Sequence, residues 1–267
     1  MDTFANYILD EKDLASKMEI TYYLAKKTRI FFDKSVVFKT EIARMFVDYM
    51  KIDVDKNLVL TACLLCNCKK VDNAQDIEKI HSYAKEGAEY LLTLGFNKRF
   101  CKICEEINRY SNSNPRERES DVLELVDQFG GMLLDRPERI GFKPDEAMVL
   151  LEHRNLKDQY NRFLHTFGEF VDMMEKVELS ELTSMKALRR LVKIHNESED
   201  IKTFIKQVCY DYEPKIDKAV AEYRKEIKDE MFKDVNRPLF SEETTRKILA
   251  HIAEENMQGE KLKNENQ

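Results

Sequence analysis

Cysteine spacing is the first feature of this chain that could do chemistry. Cys63-x-x-Cys66 and Cys101-x-x-Cys104 have the spacing of a four-thiolate zinc site. Both pairs, however, sit inside helical patterns rather than on the tight turns of zinc ribbons. Residues three apart share one helix face, so the thiols read better as small apolar side chains in core stripes. A second group is cationic: Lys186, Arg189, Arg190 and Lys193 lie beside Leu182, Met185, Leu188 and Leu191. Such a face could meet an anionic partner or a membrane surface. Its ordinary reading is the solvated outside of a packed helix. No Ser-His-Asp order, Gly-rich phosphate loop or paired-carboxylate motif is present, and His165 and His251 are isolated.

The elements that must position these residues read as helices. Seven Gly and five Pro in 267 residues leave little turn punctuation. Hydrophobic residues make up 43% of the chain, enough for a real core, and charged residues 35% with both signs interleaved, as on solvated helix faces. Apolar stripes recur at helical spacing: Ile80, Tyr83, Ala84, Ala88 and Leu91; Val122, Leu125, Val126, Phe129, Met132 and Leu133; and a longer one from Leu156 and Tyr160 through Phe163, Phe167 and Phe170 to Met174. Leu58–Cys66 is apolar on almost every side, which marks a helix at the centre of the core. No run alternates as a strand would. Ser111–Ser120 and Asp135–Pro144 read as loops. After Met174 the chain becomes charge-dense. The stripe Ile216, Val220, Tyr223, Ile227 and Met231 predicts an exposed helix packing on one side, and the tail from Glu260 is polar and frayed.

A net charge of −6 argues against general nucleic-acid binding, which depends on neutralising phosphates. No run approaches the ~20 apolar residues of a membrane span. Met1-Asp2-Thr3-Phe4 has neither a basic start nor an apolar run of the secretory type, so a cytoplasmic location with free thiols is expected.

Spaced landmarks over about Ser35–Val171 carry a family resemblance. Leu64-Leu65-Cys66-Asn67-Cys68-Lys69-Lys70-Val71 resembles the signature helix of the HD-GYP domains, a branch of the HD phosphohydrolases that hydrolyses cyclic di-GMP. Cys66 and Asn67 stand where that family has its His-Asp pair, and Lys70 is kept. His81-Ser82 and Gly87-Ala88 resemble the family's His-Pro and following Gly. Glu106–Tyr110 replaces its adjacent His pair, and Ser111–Pro115 keeps only the Pro of its loop. Asp127, Phe129 and Asp135-Arg136-Pro137 match the next helix, and Pro144-Asp145-Glu146-Ala147 the one after. The family's first His would fall near Ser35, where none stands.

The resemblance implies an all-α fold. It comprises an N-terminal helical segment (1–33), an HD-domain-like helical core (34–176), a C-terminal helical extension (177–259) and a disordered tail (260–267). It also implies a site stripped of most ligands, since Asn67 has no negative charge to hold a cation. Two functions stay open. The preferred one is a non-catalytic regulatory or interaction module without cofactor, docking a protein partner or a second copy through the C-terminal helices. The rival is a divergent phosphohydrolase in which Cys66, His81, Glu106 and Asp127 hold one zinc, iron or manganese ion, with Lys70 and Asp127 catalytic. A third reading is a sensor that binds cyclic di-GMP without turnover, with Arg109, Arg116 and Arg136 gripping its phosphates.

Overall fold

Several helices in this chain begin where a short polar side chain accepts an unpaired N–H group of the first turn. The computed structural model describes residues 4–28, 30–70, 82–107, 115–137, 139–155, 161–179 and 185–235. In order these form α1 (Phe4–Asp10), α2 (Leu14–Thr28), α3 (Lys34–Met50), α4 (Lys56–Leu65), α5 (Tyr83–Thr93), α6 (Lys98–Glu105), α7 (Arg118–Leu133), α8 (Pro144–Asn155) and α9 (Leu164–Met174). A two-residue hairpin follows, β1 (Glu178–Leu179) and β2 (Met185–Lys186). Then come α10 (Ala187–Glu197), α11 (Ile201–Lys206), a π-helical turn (Gln207–Tyr212) and α12 (Glu213–Val235). Asp33 caps α3 through the Val36 N–H, Asp55 caps α4 through Leu58, Asn97 caps α6 through Phe100, and Asp200 caps α11 through Thr203. Lys51 ends α3 in the left-handed region at φ 51°.

The fold is all-α apart from β1 and β2, which pair antiparallel with Leu179 opposite Met185. Two residues per strand are too few to leave an alternating pattern in the sequence. Met1–Val220 forms one compact unit, and Ala221–Gln267 a second whose described part, 221–235, is helix. The segments 1–33 and 177–220 therefore belong to the same unit as 34–176. Phe204, Ile205, Val208, Tyr212, Ile216 and Val220 are all buried. Ile216 and Val220 thus form the packed side of an otherwise exposed helix, as the stripe predicts, whereas Ile227 further along it is exposed. Of the stripe expected from Leu156, the helix covers Leu164–Met174, and Leu156 and Tyr160 lie outside the described residues.

Helix α3 is the hub, packing against α4, α7, α9, α10 and α11. Leu58–Cys66 is as buried as its composition predicts, with Val59–Leu65 all inside. Yet α3 is buried over a longer run, Val36–Val47, and that run includes Lys39, Thr40, Glu41 and Arg44. Phe46 of α3 meets Phe167 of α9 edge-on at 4.9 Å, and Phe167 meets Phe129 of α7 at 5.1 Å, so aromatic contacts tie α7 and α9 to α3. Lys17 is a second polar residue drawn inside. Its ammonium donates to the Ile8 carbonyl at the end of α1 and to Thr61 of α4. Burial lowers its pKa to about 8.

No helix of the described residues is long and apolar enough to cross a membrane.

Candidate functional site

Asp127 sits on the face of α7 that packs on α3 and α4. Its Oδ1 accepts a hydrogen bond from Lys39 Nζ at 2.7 Å and from Asn67 Nδ2 at 3.0 Å. The Asp127 side chain is 20% exposed and that of Lys39 is 9% exposed, so little water screens the pair. Burial alone would raise the Asp127 carboxyl. The ammonium groups of Lys39 and Lys70, with the hydrogen bonds from Lys39 and Asn67, outweigh it and hold the group well below the usual carboxylate range. Asp127 is therefore a fixed anion whose countercharge is a lysine of its own chain.

Two glycines make room for that lysine. A Cβ on Gly130 would stand 2.8 Å from Lys39 Cγ, and one on Gly131 would lie 3.3 Å from the Arg136 guanidinium and 3.9 Å from Lys39 Nζ. The bare backbone of α7 at 130–131 is what lets the Lys39 stem cross it to Asp127. Gly130→Ala is expected to destabilise the protein by about 1–3 kcal/mol, the usual range for overpacking. Urea denaturation measures it, and a neutral substitution would show that the Lys39 stem can give way.

Lys70 follows α4 by one turn, its N–H bonded to the Asn67 carbonyl. It lines a cavity of about 740 Å³ together with Lys39, Gly131 and Arg136. Burial, and then the positive charges of Lys39 and Arg136, lower the Lys70 pKa.

The other expected site residues go elsewhere. Glu106 is fully buried, and its Oε2 accepts from Ser120 Oγ (2.9 Å) and the Glu117 N–H (2.8 Å), which anchors the entry to α7. Arg116 donates to Glu124 at 2.9 Å and to the Glu106 carbonyl at 2.7 Å, and lies 3.3 Å from Asp121. Neither residue lines the cavity. Arg136 does, and among the described residues it is the one member of the expected phosphate-gripping set placed there. His81 and Arg109 lie outside the described residues.

Cys66 is buried, and its thiol is pushed well up by burial and then by the neighbouring Cys104 and Cys63. Cys63 and Cys104 are raised by burial likewise. Among the described residues, no group of three or more His, Cys, Asp or Glu side chains is placed to hold a metal ion. Cys66, Glu106 and Asp127 thus do not form such a group, and neither do the two Cys-x-x-Cys pairs. The basic face of α10 is partly neutralised, by Lys186–Glu178 at 2.5 Å and Arg189–Glu175 at 2.7 Å, while Leu188 and Leu191 are buried beneath it.

No protein-family model, curated protein or solved structure matches this chain.

Lys39 is the member of the site that sequence reasoning missed. Its signal was legible in two places. It stands one helical turn after Ser35, on the same face as the position where a His was sought, and the Gly130-Gly131 pair interrupts an otherwise bulky helix three residues after Asp127.

Proposed function

We propose that this chain is a non-catalytic, HD-GYP-like regulatory or interaction module in which a lysine ammonium has taken the place of a metal ion. The observation that carries the reading is the Lys39–Asp127 pair, held at 2.7 Å in a poorly hydrated site with Asn67 as the second donor. On the resemblance, Asp127 is a metal ligand and Asn67 stands where a ligand carboxylate would be. A divalent ion needs several anionic or lone-pair donors directed at one point, plus an open water position. Here Asn67 directs N–H groups, not a lone pair, at Asp127, and Lys39 contributes another positive donor. The residues present do not fit a metal ion. A lysine in that position supplies one fixed charge and can activate no water, so structure is kept without hydrolysis.

A docking role for the C-terminal helices narrows to the part after Val220. The apolar residues before it are already buried, whereas Ile227 is exposed.

The test is metal dependence. Purified protein is expected to hold no stoichiometric zinc, iron or manganese by elemental analysis. Its melting temperature should move by less than about 1 °C with EDTA or millimolar Mn²⁺, since a ligand bound only by the native state would raise it. A tightly held ion lost on Asp127→Ala, or turnover of cyclic di-GMP, would restore the phosphohydrolase reading.

A further inference from the structure

The cavity beside the Lys39–Asp127 pair gathers cations from segments far apart in sequence. Lys26 comes from α2, Lys34 and Lys39 from α3, Lys70 from the turn after α4, and Arg136 from the turn after α7. Asp127 neutralises Lys39. None of Lys26, Lys34, Lys70 and Arg136 has a carboxylate within ion-pair distance among the described residues. Lys34 is fixed instead by the His195 and Ser198 carbonyls, at 2.8 and 2.7 Å, neutral acceptors that bring no countercharge.

Acidic residues line the cavity too, but their oxygens are engaged elsewhere or sit at its mouth. Asp33 and Asp200 accept the N–H groups of Val36 and Thr203 as helix caps, and Asp135 accepts the Gly141 N–H. Lys26, Arg136, Asp135, Glu199 and Asp200 are exposed, whereas Lys39 is buried and Asp33, Lys34 and Lys70 are half-buried. The half-buried lining therefore carries Lys34 and Lys70 against Asp33, and the exposed rim carries Lys26 and Arg136 among three carboxylates. Holding unpaired like charges together in a half-buried pocket is unfavourable unless something else neutralises them, and functional sites are where such arrangements are found.

We propose that this cavity binds a small organic ligand through a terminal phosphate or diphosphate, seated against Lys34, Lys70 and Arg136. Charge selects the class. Lys34, Lys70 and Arg136, none of them in an ion pair with a described carboxylate, suit the two or three charges of a terminal phosphate or diphosphate, while a bridging phosphodiester brings one charge per phosphorus. Arg136 can offer its planar fork and Lys70 a point charge, the two common ways of holding phosphate oxygens. A cavity of about 740 Å³ has room for an organic body beyond the phosphate. The inference rests on the non-catalytic reading in one respect, that Lys39 and not a metal neutralises Asp127.

The experiment is a thermal-melting and calorimetric titration of the full chain with inorganic pyrophosphate, in EDTA and at constant ionic strength set with chloride. Cyclic di-GMP is titrated in parallel. Pyrophosphate is expected to raise the melting temperature and to bind at micromolar to sub-millimolar concentration. Lys70→Gln and Arg136→Gln should each weaken that binding at least tenfold, and Lys193→Gln, away from the cavity, should leave it unchanged. A second variant separates ligand site from scaffold: Lys70→Met relieves repulsion from Lys39 and Arg136, so it should melt at or above wild type without anion and lose the pyrophosphate shift. The proposal is overturned if pyrophosphate acts only as chloride does, if Lys70→Gln leaves the shift intact, or if cyclic di-GMP binds and pyrophosphate does not. Because EDTA is present, metal content decides the non-catalytic reading separately.

Discussion

Lys39→Met is expected to destabilise the protein by about 3–5 kcal/mol, the range for breaking a buried ion pair from one side. The methionine fills the channel over Gly130 and Gly131 nearly as well as the lysine stem, so lost packing is a minor part of the effect. The loss comes from Asp127, left in a poorly screened position with Asn67 as its remaining hydrogen-bond donor. Asp127→Asn should be costly for the mirror-image reason, since Lys39 would then be a buried ammonium without a counterion. The double variant Lys39→Met/Asp127→Leu removes both charges and should recover most of the loss, because apolar replacement of a whole buried pair is often neutral. Urea denaturation of the four proteins closes the cycle, and the coupling should exceed about 1.5 kcal/mol. Additive single effects below about 1 kcal/mol each would mean that the pair is solvated and that Lys39 is no substitute for a metal. The acid limb gives an independent reading. Asp127 has its folded pKa depressed, so its contribution is present above the ordinary carboxyl value of about 4 and fades as pH falls toward the folded value. Lys39→Met should flatten that limb.

How much of this was legible in the sequence differs between fold and site. The all-α fold follows from period and punctuation, since apolar residues repeat at helical spacing and glycine and proline are scarce. The centrality of α3 does not follow, because Lys39, Thr40, Glu41 and Arg44 interrupt its apolar positions and a pattern of apolar residues counts each as solvent-facing. They are buried because each finds a partner: Asp127 for Lys39, the Val36 carbonyl for Thr40, and Glu41 and Arg44 for one another. Pairing is a tertiary property, and no periodicity encodes it. Glu106 shows the same gap. The resemblance put it at a ligand position, and the structure makes it a buried anchor for the backbone at Glu117. Asp127 could be located because its neighbours Phe129 and Asp135-Arg136-Pro137 are spaced landmarks. The cationic cavity could not, because Lys26, Lys34, Lys70 and Arg136 have no common spacing and converge only when α2, α3 and the turns after α4 and α7 pack together.

Arg44 provides the other large effect, five residues further along α3. Its guanidinium grips Glu41 through two hydrogen bonds of 2.8 and 2.9 Å, and it also meets Asp217 at 3.1 Å, Asp48 at 3.5 Å and Glu213 at 3.6 Å. Lys56 takes part of the charge of Asp48, and Tyr49 donates its hydroxyl to Asp217. One buried cation thus answers a surplus of carboxylates and joins α3 to the first turns of α12. Arg44→Met should cost about 3–5 kcal/mol at pH 8 and above, where Glu41, which is fully buried, is ionised and loses its counterion, and less at lower pH, where Glu41 takes up a proton instead. The surplus also fixes the sign of the pH dependence. Burial, reinforced by Glu213 and Asp217 and only partly offset by Arg44, raises the Glu41 pKa to about 7, and burial raises Glu213 as well. A carboxyl whose folded pKa lies above its unfolded value of about 4.3 binds its proton more tightly when folded. Stability should therefore rise as pH falls from about 7 toward 4.5, opposite in sign to the loss that Asp127 brings at still lower pH. Wild type should consequently melt highest near pH 5, and clearly above its value at pH 8. Glu41→Gln should flatten the limb between pH 5 and 7 while leaving the steeper acid limb in place. A melting temperature that climbs steadily from pH 5 to 8 would show that Arg44 already holds its carboxylates fully ionised, and the cluster would then be a balanced lock between helices with no response to protons.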